Sequence, residues 1–134
     1  MTKRVIKWIS FVLIYSAQLS CSKKNASTNP DTARTIRFVL YTENDFSGND
    51  QNIRFSLLIK NHGGILFDSA LSPMKLKDIP DSTAKLVFDK KVPNDDGSDL
   101  AAGFHYDIDG VGNSSYLDTC SAGELFKVIN FSFK

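Results

Sequence analysis

From residue 36 onward, apolar and polar side chains alternate with a period of two, the spacing that sends successive side chains to opposite faces of an extended strand. Residues 36–43 place Ile36, Phe38 and Leu40 on one face and Arg37, Val39, Tyr41 on the other. Residues 53–60 give the clearest strand, with Ile53, Phe55, Leu57 and Ile59 against Arg54, Ser56 and Lys60. Asn61-His62-Gly63-Gly64 then supplies a turn, and residues 65–69 return as the second arm of a hairpin. Met74 with Leu76, Leu86 with Phe88, then Phe104, Tyr106, Ile108, and finally Ile129, Phe131, Phe133 continue the alternation. Turn-rich breaks at 44–52, 79–82, 93–99 and 109–115 separate these runs. Lys75 and Lys77 face outward from an edge or crossover strand, where they discourage edge pairing.

Seven or eight short strands at this spacing predict an all-β fold, a two-sheet antiparallel sandwich of immunoglobulin-like, fibronectin-like or transthyretin-like strand order. No stretch after residue 35 carries helical periodicity long enough for a stable helix, which argues against an α/β fold. Most of the ten Phe residues fall at inward positions and are expected in the core. At 134 residues the chain is long enough for one core, and it shows no internal repeat.

The first residues follow a different rule. Met1–Lys7 holds Lys3, Arg4 and Lys7, and residues 8–20 carry no charge, so residues 1–20 read as a signal peptide with a positive n-region and an apolar h-region. The run is shorter than the roughly 20 apolar residues that span a bilayer. Leu19-Ser20-Cys21-Ser22-Lys23 resembles the relaxed lipobox of Bacteroidota-type lipoproteins: Ser20 fits the small residue, Cys21 the lipid acceptor, and Gln18 stands where Leu, Val or Ile is usual. The resemblance implies a precursor whose Cys21 is acylated. Such a chain attaches to the membrane through more than one acyl group. Residues 21–35 are polar, hold one Pro and read as a lipidated tether, leaving 36–134 as the sandwich domain. No acidic residue directly follows Cys21, which in lipoproteins of the resembling type implies a periplasm-facing outer-membrane position. The domain itself is similar in look to small uncharacterised β-sandwich lipoproteins.

Charge changes the picture once the leader is set aside. The net charge of +1 loses the three leader cations, leaving 13 basic against 15 acidic side chains, with no basic stripe to recruit nucleic acid. Asp107 and Asp109, with Gly110 and Gly112 nearby, are candidate metal ligands, but Val111 occupies the place of the third ligand in a calcium loop. Asp95 and Asp96 lie in a second acidic loop at 94–99, and the two loops would share a cation only if the fold brought them together. The ordinary reading of both is a solvated turn. His62, His105 and Cys120 show no spacing suited to a nucleophile and its base, and no cofactor motif is present. Were Cys21 not acylated, it would be a disulfide partner for Cys120 in an oxidising compartment. The expected function is a non-catalytic envelope module that binds a protein or glycan. The alternatives are a calcium or ligand carrier using the acidic loops and, less favoured, an envelope hydrolase using Asp107, Asp109 or His105.

Overall fold

The computed structural model describes residues 33–134, and the expected signal peptide at 1–20, Cys21 and most of the expected tether lie outside the described residues. Eight strands run in the order β1 (Thr35–Thr42), β2 (Asn52–Asn61), β3 (Gly64–Ala70), β4 (Met74–Lys75), β5 (Leu86–Lys91), β6 (Leu100–Ile108), β7 (Gly112–Cys120) and β8 (Phe126–Phe133). They form a three-stranded sheet ordered β5-β1-β8 and a five-stranded sheet ordered β3-β2-β6-β7, with β4 paired to the start of β2. The all-β sandwich expected from the alternation is what the chain adopts.

The strands form where one face can be buried. Ile36, Phe38 and Leu40 of β1 and Ile129, Phe131 and Phe133 of β8 face Ile53, Phe55, Leu57 and Ile59 of β2 and Leu100, Ala102 and Phe104 of β6 across the core. Each Phe ring buries well over 100 Å² of apolar surface, and the rings interlock edge to face: Phe38 meets Phe104 at 5.7 Å and Phe55 meets Phe133 at 5.9 Å between centroids. Phe126 is an exception to the inward placement, being 49% exposed on the outer face.

Three features depart from the expected pattern. First, β1 and β8 pair in parallel, Thr35 opposite Phe126 through Thr42 opposite Phe133, so the smaller sheet is mixed rather than antiparallel. Second, the 74–80 stretch is a strand for only two residues before a 3-10 turn at Leu76–Asp78. Its lysines do face outward, where both grip Asp50, Lys75 at 3.2 Å and Lys77 at 2.6 Å. Third, residues 112–115, read as part of a break, open the nine-residue edge strand β7. That strand is polar and largely exposed, so nothing in its hydrophobic pattern announces it.

Arg34, assigned to the tether, is 2% exposed and sits beside the first residue of β1. Gly103 on β6 is what lets β7 close against it: a Cβ there would collide with the carbonyl oxygen of Tyr116 and lie 2.9 Å from Leu117 Cα.

Candidate functional site

The sandwich is not closed along the side where β7 and β8 are both edges, and three layers of contact bridge it. Nearest the start of β1, Lys127 of β8 pairs with Asp118 of β7 at 3.2 Å, which holds the Asp118 carboxyl below its ordinary range. Further along, Tyr116 stacks on Phe131 with centroids 4.9 Å apart and planes 12° from parallel. Tyr106 meets the same ring at 5.7 Å and 27°.

Beyond Tyr116 the edge strand carries small residues, Gly112 and Ser114. Ser114 lies opposite Tyr106 in the β6–β7 register, so no bulky side chain covers that ring from the side. The result is a cleft of about 410 Å³ lined by Tyr106, Tyr116, Asn130, Phe131, Ser132 and Lys134. Tyr116 is 38% exposed at its lip, and Phe131 forms the floor. Ser132 Oγ is enclosed with no hydrogen-bond partner among the described residues. A buried hydroxyl in that state costs about 1–3 kcal/mol. An aromatic floor with a few convergent polar groups is the usual make-up of a small-ligand site.

The residues picked out from sequence sit elsewhere, and the fold separates them. Asp95 and Asp96 precede β6, whereas Asp107 and Asp109 close it, so the two acidic loops lie at opposite ends of a nine-residue strand and do not share a cation site. At about 3.4 Å per residue that strand keeps them more than 20 Å apart. Arg54, across from Asp107 on β2, takes both nearby carboxylates, Asp107 at 2.6 Å and Asp109 at 3.1 Å. Asp96 accepts from the Ser98 backbone N–H and hydroxyl and from the Asn61 amide, the turn chemistry that its loop composition implied. No group of three or more His, Cys, Asp or Glu side chains comes together as a metal site among the described residues.

Asp95 has a different role. It accepts two hydrogen bonds from the buried Arg34 guanidinium, 2.7 Å to Nε and 2.5 Å to Nη2, and a third from the Gly97 N–H. Its hydrogen bonds to Arg34 drop its pKa to about 2. This fork ties the 93–99 loop to the residue just before β1. The pair spans 61 positions in sequence, and no local signal marks it.

His105 and Asp107 share the outer face of β6, but Asp107 is bound by Arg54, while His105 Nδ1 meets Ser115 Oγ at 2.9 Å. His62 lines a separate shallow cleft of about 340 Å³ with Lys60, Asn61 and Asp99 at the other end of β6. Cys120 is a buried free thiol near the Glu124 carbonyl, and burial pushes its pKa up, the opposite of what a nucleophilic cysteine needs.

The chain matches no protein-family model, no curated protein and no solved structure. What the fold and the cleft define is therefore a class only: an all-β sandwich with an aromatic cleft at its open side.

Proposed function

We propose that this protein is an envelope-anchored, non-catalytic binding module, held to the membrane through acylated Cys21 and engaging an envelope glycan through the cleft between β7 and β8. The leader at 1–20 and the Leu19-Ser20-Cys21 sequence support the anchor, and the absence of an acidic residue after Cys21 supports a periplasm-facing outer-membrane position.

The observation that carries the binding reading is the cleft's composition. Tyr106, Tyr116 and Phe131 offer flat apolar surface, and Asn130 and Lys134 supply amide and ammonium groups at its margin. A sugar ring presents the matching arrangement, C–H faces for the aromatic rings and hydroxyls for the polar groups. The β-sandwich presents this site on a stiff scaffold, which lowers the entropic cost of binding.

The test is capture of soluble envelope glycan fragments by the mature protein and by Tyr116→Ala, with crosslinking from intact envelopes in parallel and Cys21→Ala as the anchoring control. Glycan retained by the wild type and lost in a folded Tyr116→Ala variant is the expected outcome. Equal retention by both, or a crosslinked protein partner that is indifferent to Tyr116→Ala, would sink the glycan reading.

A further inference from the structure

Three of the seven large hydrophobic side chains exposed on the described residues lie together at one end of the three-stranded sheet: Leu125 (60%), Phe126 (49%) and Val128 (37%). Leu125 closes the β7–β8 loop, and Phe126 and Val128 follow on the outer face of β8.

The same end receives the chain from its N-terminal side. Thr35 N donates to Leu125 O at 2.9 Å, Thr35 lies opposite Phe126 in the parallel β1–β8 register, and Arg34 is clamped by Asp95. Whatever holds Cys21 therefore pulls on this end and no other. Twelve residues separate Cys21 from Arg34, and thirteen residue-to-residue steps of about 3.4 Å span no more than about 45 Å. Lys23 and Lys24 stand two and three residues after Cys21, where they favour an anionic headgroup layer.

Three cations near these side chains are paired, Arg34 with Asp95, Arg37 with Asp89 and Lys127 with Asp118. Arg37 also lies 5.4 Å over the Phe126 ring, which is 49% exposed. An apolar cluster whose neighbouring cations are paired approaches a bilayer at a lower electrostatic cost than one beside free charges. Tethering raises its effective concentration at the surface to the order of millimolar, so even weak insertion is populated.

We infer that the domain docks end-on against the bilayer that holds its anchor, with Leu125 and Phe126 entering the interfacial layer and the cleft beside Tyr116 and Lys134 directed away from it. This rests on the proposed acylation of Cys21. It adds an orientation. The membrane covers the end where the chain enters, and the C-terminal portion of β8, with its cleft, faces the compartment.

The experiment uses the full chain, expressed and processed in a lipoprotein-modifying host. The protein is reconstituted in vesicles of phosphatidylethanolamine and phosphatidylglycerol with brominated acyl chains. The only Trp in the sequence, Trp8, falls in the leader, so Phe126→Trp gives a single reporter in the processed protein. Val111→Trp, in the β6–β7 turn at the opposite end, is the matched control. Mass spectrometry of the purified protein reads acylation separately.

The expected result is quenching of the residue-126 reporter at least twofold stronger than that of the residue-111 reporter, abolished by adding Leu125→Asp. Equal quenching at the two positions in acylated protein overturns the docking while leaving the anchor in place. Protein without acyl mass overturns the anchor and the docking together. A residue-126 emission shift that appears without vesicles and grows with protein concentration assigns the patch to a second copy of the chain, and also overturns it.

Discussion

Replacing Asp95 by Asn should be among the most damaging single changes at the ends of the sandwich. The Arg34 side chain is 2% exposed and that of Asp95 13%. Without the carboxylate, no negative charge offsets the buried guanidinium, which lies 3.5 Å from the Ser121 carbonyl oxygen. Breaking a buried pair by removing one partner costs about 3–5 kcal/mol because a desolvated charge is left behind, and the partial exposure of Asp95 brings the expectation to about 2–4 kcal/mol. For a domain of this size that is a fall in Tm of roughly 10–25 °C.

The pKa leads to a similar magnitude. An Asp at about 2 in the fold against an ordinary 3.8 contributes, at about 1.36 kcal/mol per pH unit, about 2 kcal/mol. The folded value is the lower one, so this stability is present at neutral pH. It is lost as pH falls from about 5 through about 2. Urea unfolding of wild type and Asp95→Asn at pH 7 and at pH 2 checks both parts: a large gap at pH 7 should narrow in acid. Replacing the pair together, Arg34→Met with Asp95→Leu, should recover much of the loss, since no unpaired charge then remains. Asp89→Asn removes the partner of Arg37, where the side chains are 43% and 46% exposed, and should leave the urea midpoint unchanged. An Asp95→Asn variant as stable as wild type at pH 7 would refute the reasoning.

Other outcomes follow from the same contacts. Gly103→Ala should destabilise the domain by about 2 kcal/mol or more and speed amide exchange in β7, because the added methyl has only the Tyr116 carbonyl to move into. Millimolar calcium should leave Tm within about 1 °C, whereas an ion bound at a hundredfold its Kd would add about 2.7 kcal/mol; a clear rise would return Asp107 and Asp109 to consideration as ligands. Cys120, buried and with a raised pKa, should react with a thiol reagent about tenfold or more slower in the native protein than in denaturant, measured by absorbance of the released chromophore.

The strands with an alternating inward face were legible from sequence: β1, β2, β5, β6 and β8 fall where period two predicts them, and β3 falls where the turn at 61–64 predicts a returning hairpin arm. Burial of one face is what writes that period, since each inward position must be apolar to close a core about 10 Å thick. The same logic explains the omission of β7. An edge strand with one side open to water needs little apolar alternation, and GNSSYLDTC has little. The candidate carboxylates were visible as residue types, but whether Asp107 is free or held by Arg54 depends on a register 53 positions apart.

By itself, then, the sequence determined the all-β class, most of the turns and the majority of the core, because each of these is encoded by neighbours a few positions apart. Tertiary structure alone decided the parallel pairing of β1 with β8, the burial of Arg34 against Asp95, and the meeting of Tyr106, Tyr116 and Phe131 at the open side. It also decided that the two acidic loops lie at opposite ends of β6. These depend on contacts between residues far apart in the chain, whose partners are chosen by which sheet faces which and in what register. No local pattern of hydrophobicity carries that choice.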